Sequence, residues 1–86
     1  MAISTGQLSV GTTPVQIDGT SNSSFRLHIH NLDNTNTLYV GAGDVTTTTG
    51  LGLPKLDSLE IMCYPGESIF VVSDKTGHLV SWLKQI

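Results

Sequence analysis

Charge is what this chain has least of. Lys and Arg number four and Asp and Glu seven among 86 residues, 13% in all, where a globular chain carries about 25%. The deficit rules out a basic stripe able to neutralise phosphates, so a nucleic-acid partner is not expected. Thr, Ser, Asn and Gly must wet the surface instead. Such a surface suits contact with copies or partners, because few charges have to be desolvated there. A single cysteine, Cys63, excludes an internal disulfide. It lies in an apolar run, where a free thiol serves as a small core hydrophobe. No apolar run reaches the roughly 18 residues of a membrane-spanning helix, and no membrane partner is expected. The opening Met1-Ala2-Ile3-Ser4-Thr5-Gly6 lacks a basic segment followed by an apolar one. A secretory leader is therefore not expected, and synthesis is expected in the host cytoplasm.

What is present is strand-forming. Apolar residues alternate over short distances and turn residues recur between them, while a 3.6-residue period is nearly absent. Strands are expected over 7–10, 15–18, 25–31, 37–40, 59–64, 68–73 and 78–86. The clearest is 25–31, where Phe25, Leu27 and Ile29 share one face and Arg26, His28 and His30 the other. Asp33-Asn34-Thr35-Asn36, Pro65-Gly66 and Asp74-Lys75-Thr76-Gly77 are turns by composition. Residues 68–73 are apolar on both faces and read as a central strand. Residues 41–55, with four consecutive threonines, read as the longest irregular segment, and loops of that length are commonly functional. The expected fold is all-β: residues 1–86 as one antiparallel β-sandwich or jelly-roll-like barrel of about seven short strands, with 1–8 as an extended N-terminal arm.

Constellations that carry chemistry are sparse. His28 and His30 stand two apart on one strand face, and with His78 they form the only set resembling metal ligands. That set defines one alternative, a small cupin-like metal protein. The Asp residues fall at strand ends and turns, where side-chain capping accounts for them. No G-x-S-x-G elbow or complete dinucleotide fingerprint occurs. No enzymatic activity and no cofactor is expected. Trp82 and Tyr39 offer a second alternative, an aromatic platform for a sugar.

Leu38-Tyr39-Val40-Gly41, Asp44-Val45-Thr46, Gly50, Leu59-Glu60-Ile61 and Pro65-Gly66-Glu67-Ser68 together resemble small virion proteins of tailed phages, of the head decoration or cement type. The resemblance spans residues 31–73. Pro54-Lys55-Leu56-Asp57 departs from it, standing where the family's loop runs directly into the next strand. The resemblance implies a structural protein on the head surface of the virion, bound to the major capsid protein and assembled as a homo-oligomer, dimer or trimer. A fibre, knob or tail component that binds a receptor or glycan is the alternative within the same class. The residues expected to meet a partner are Ile3 and Gln7 in the arm, Gly43, Thr46, Thr47, Thr48, Thr49 and Leu51 in the loop, and Trp82 near the C-terminus.

Overall fold

The computed structural model describes residues 3–17 and 23–86. Among them lie eight strands: β1 (Ile3–Val10), β2 (Val15–Ile17), β3 (Phe25–Asn31), β4 (Leu38–Gly41), β5 (Leu51–Leu53), β6 (Ser58–Cys63), β7 (Ile69–Val72) and β8 (His78–Gln85). They form two four-stranded sheets, ordered β1-β8-β3-β6 and β2-β7-β4-β5, and every pairing is antiparallel. The pairs β1–β8, β2–β7, β3–β6 and β4–β5 each sum to nine, as they do when one long hairpin is folded over on itself. β3–β8 and β4–β7 close the two sheets. This is the jelly-roll order.

Alternation puts the core between the sheets. β3 has Phe25, Leu27, Ile29 and Asn31 buried on its inner face. Val10, Ile17, Leu38, Val40, Leu53, Cys63, Val71 and Val80 meet them from seven other strands. Cys63 is a core residue, and burial pushes its thiol pKa up. β7 is a central strand, between β2 and β4. Pro65-Gly66 turns as its composition predicts: Gly66 has φ of 85°, and Glu67 N–H donates to the Tyr64 carbonyl at 3.0 Å.

Two expectations are corrected. The segment 41–55 is not one irregular loop, because Leu51–Leu53 is β5, paired with β4. Three residues centred on Gly52 carry no readable alternation; the pairing to β4 and the burial of Leu53 decide the matter. The strand count is therefore eight. The expected arm is also strand. From Ile3 onward it pairs with β8 along its whole length, Ile3 with Gln85 through Val10 with His78. Residues 1–2 of that arm, and residue 18 at the end of the second expected strand, lie outside the described residues. Gly6 is where β1 needs glycine: a Cβ there would lie 2.7 Å from Cζ2 of Trp82.

Candidate functional site

The register of β1, β8, β3 and β6 places their outward side chains in rows. Ile3, Gln85, Arg26 and Met62 form one row; Thr5, Leu83, His28 and Glu60 the next; Gln7, Ser81, His30 and Ser58 a third; Ser9 and Leu79 a fourth. All are exposed or half-buried. The face carries one Arg and one Glu, and they pair with each other, Arg26 Nε to Glu60 Oε1 at 3.3 Å. His28 Nδ1 lies 4.0 Å from the same carboxylate. Between those charges and the β1 edge is a depression of about 450 Å³, lined chiefly by Thr5, Gln7, His28, His30, Ser81 and Leu83. Around it stand Ile3, Met62, Leu79 and Leu83, exposed at 64%, 47%, 50% and 39%. The face is thus near-neutral, rich in hydroxyl, amide and imidazole groups, and edged with aliphatic side chains.

The expected partner-binding residues fall in three places. Ile3 and Gln7 are on this face. Gly43 and Thr46 to Thr49 sit in the β4–β5 connection, and Leu51 is exposed on β5. β5 edges the opposite sheet and reaches β6 through residues 54–57, while β1 reaches β2 through residues 11–14. Leu51 therefore lies at the lateral edge opposite β1. The β4–β5 connection is not confined to that edge, however: Thr46 and Thr47 border one depression with Thr12 and Pro14 of the β1–β2 connection, and Gly43 lies against the Phe70 ring of β7. Trp82 is on the inner side of β8, half-buried, with its ring against Gly6 and the core, and it and Gly6 also border the 450 Å³ depression of the outer face.

The threonine segment is built as a turn. Thr46 Oγ1 is 3.0 Å from the hydroxyls of both Thr48 and Thr49, Thr49 Oγ1 accepts from Thr46 N–H at 3.0 Å, and Gly50 N–H donates to the Thr46 carbonyl at 2.9 Å. Val45 is buried outside the inter-sheet core: it packs against Gly41 and Gly50, which holds the segment over the outer face of β4. Threonine hydroxyls bond readily to nearby backbone, which is why they can stand in for a regular ladder here.

The three histidines do not converge. His28 and His30 point outward from β3, whereas His78 is fully buried between the sheets. Among the described residues no three His, Cys, Asp or Glu side chains form a group able to hold a metal.

His78 instead belongs to a polar cluster that the sequence reading missed. Asn31 Nδ2 donates to the carbonyls of Asn36, Leu53 and Pro54 at 3.0, 3.1 and 3.1 Å. Those contacts orient the amide, so Oδ1 is the acceptor for Asp33 N–H at 3.0 Å and for His78 Nε2–H at 2.7 Å. The imidazole is then the neutral Nε2–H tautomer, and its Nδ1 accepts from the Ser73 hydroxyl at 2.8 Å. Ser73 Oγ in turn accepts from Lys75 N–H at 3.3 Å. Asn31, Ser73 and His78 are all at most 1% exposed. The cluster ties β3 and β8 of one sheet to the ends of β5 and β7 of the other.

Asp33 borders this cluster. It accepts from Thr35 N–H and Oγ1 at 2.8 and 2.7 Å and pairs with the Lys75 ammonium. The Lys75 contact first, then the Thr35 hydroxyl, hold its carboxyl well below the usual carboxylate range. Burial pushes the His78 pKa down, against the opposing pull of Asp33, whose Oδ2 lies 3.8 Å from Nδ1; Lys75 lowers it further and Asp74 raises it. The unfolded imidazole takes up its proton near about pH 6.5. Folded His78 does so only at lower pH, so the unfolded state binds more protons in between. Stability contributed by His78 is complete above the unfolded value and is lost as pH falls below it. The urea midpoint is expected to drop as pH falls from about 7 to about 5, and His78→Gln is expected to flatten that slope whatever its own stability. An unchanged slope in His78→Gln would show that another group titrates.

Comparison of the chain with protein-family models, with curated proteins and with solved structures finds no match in any of the three.

Proposed function

We propose that this protein is a structural component of a tailed-phage virion, a decoration or cement subunit that seats on the outside of the assembled head against the major capsid protein. The supporting observation is the β1-β8-β3-β6 outer face. Its one Arg and one Glu neutralise each other, and aliphatic side chains stand exposed around them. A face of this kind loses little on desolvation and has apolar area to gain. The resemblance over residues 31–73 agrees with that role. Its mechanism is mass action: a subunit that binds only the assembled lattice stabilises it by RT ln(1 + [L]/Kd), about 2.7 kcal/mol per site at a hundredfold excess over Kd. A dimer or trimer engaging several sites multiplies the gain.

The test is to add purified protein to undecorated heads and follow capsid melting. A rise in melting temperature that saturates with added protein is expected. Met62→Asp/Leu83→Asp, which changes only outward side chains away from β1, should abolish the rise while leaving the protein's own unfolding curve unchanged. Binding that survives this double change would remove the outer face from the proposal, and no binding by the parent chain would defeat the decoration role.

The depression on the same face favours a second reading. Hydroxyl, amide and imidazole groups converge there at a size suited to a sugar ring, which fits a fibre or knob component that binds a glycan. Glycan-array binding lost in His30→Ala, with no effect on heads, would favour it.

A further inference from the structure

Each sheet has two edges, and three of the four are guarded. β2 and β5 are three residues long and are flanked by Pro14 and Pro54. β6 carries the charged Glu60 at its centre. Short strands, proline and charge are the usual means of keeping a sheet edge from templating another strand. β1 has none of these. It runs eight residues, Ile3–Val10, without a charge or a proline, and its register with β8 is unbroken, so no bulge twists it away. Alternate N–H and C=O groups along it point away from β8, and what they can bond is another extended backbone.

We propose that β1 is the pairing edge of a symmetric dimer, in which the β1 strands of two copies run antiparallel and join two four-stranded sheets into one continuous sheet. A two-fold axis perpendicular to the sheet keeps outward side chains opposite outward ones. Centred on Gly6, it sets Thr5 opposite Gln7 and Ile3 opposite Ser9 of the other copy. The axis then passes a residue with no side chain. No like charges are opposed, because the strand contains no charge at all. Ile3, 64% exposed, is carried across the small Ser9 toward Leu79, 50% exposed, which stands beside Ser9 in the same row. Symmetry makes that contact twice. A second copy is thus favoured over a foreign strand by features of this chain: a neutral self-complementary strand, and two exposed aliphatic side chains brought together by that register. Pairing of β1 needs nothing from the capsid role, so either can fail without the other.

Sedimentation with amide hydrogen exchange tests the dimer. The mass should double as concentration rises, and the β1 amides that face away from β8 should exchange slowly in the dimer and freely on dilution. Thr5→Lys/Gln7→Lys sets Lys opposite Lys at two places and should return the protein to single-chain mass, with an unfolding curve that matches the parent's at high dilution. A single-chain mass at every concentration would overturn the proposal, leaving β1 at most a site for another protein's strand. So would a dimer whose β1 amides exchange as freely as the diluted chain's, or one indifferent to the two lysines.

Discussion

Asn31→Ala is expected to lower the unfolding free energy by about 3 kcal/mol or more. Asn31 is fully buried, and its amide serves five partners: three carbonyls, the Asp33 N–H and the His78 ring N–H. Alanine removes the amide and leaves those groups behind, each buried and unsatisfied group costing about 1–3 kcal/mol. A chain of this length has a total stability on the order of 4–13 kcal/mol, so this one side chain decides a large part of it. The melting temperature should fall by roughly 12–24 °C. Asn31→Asp is the sharper variant, because it keeps an acceptor for His78 but aims a carboxylate at three carbonyl oxygens. It should be at least as damaging as alanine near neutral pH. Urea unfolding with an unchanged m-value is the measurement. A loss below about 1 kcal/mol would mean that water replaces the amide and that the cluster does not lock the sheets.

Ile29→Ala should cost about 3–4 kcal/mol. Ile29 is wholly buried at the middle of β3, between Leu59 of β6 and Trp82 of β8, and it faces the opposite sheet. Removing its branched end leaves a cavity under β3, which is hydrogen-bonded to β6 on one side and β8 on the other and cannot collapse into it. Leu83→Ala, on the neighbouring strand but facing outward, should cost less than about 1 kcal/mol. The pair tests which face is the core. Equal losses would show that the outer face of this sheet is covered in the isolated protein, as by self-association.

Much of the sandwich can be read from parity. Phe25, Leu27 and Ile29 declare the inner face of β3, and Val80 with Trp82 that of β8, because side chains alternate strictly along a strand. The same rule carried one step further would have exposed the buried cluster. Asn31 continues the odd-numbered inner series of β3, and His78 begins the even-numbered inner series of β8. Polar residues at inward positions on adjacent strands are a signal of a hydrogen-bonded lock. Reading His78 as a companion of His28 and His30 followed residue type in place of strand parity. Lys84 is a further case, an inward position on β8 filled by a cation that lies 4.7 Å from the centre of the Phe25 ring.

Other features leave no local trace. β5 is set by its pairing with β4, since three residues around a glycine have no periodicity to detect. The first half of β1 is set by β8, some eighty residues further along the chain. Of the candidate site, the outward set Arg26, His28 and His30 was legible from β3 alone. Its rows were not, because they depend on the register of four strands distant in sequence.

The nine-sum pairing of the strands also orders events in time. β4 and β5 can close over a connection of nine residues (42–50), whereas β1 must wait for the last segment of the chain. The closure entropy rises with the length of chain enclosed, so the roll is expected to assemble from its centre outward. On a ribosome β1 emerges first and its lateral partner last. The strand synthesised earliest is the last able to dock, and throughout translation both of its edges stand open.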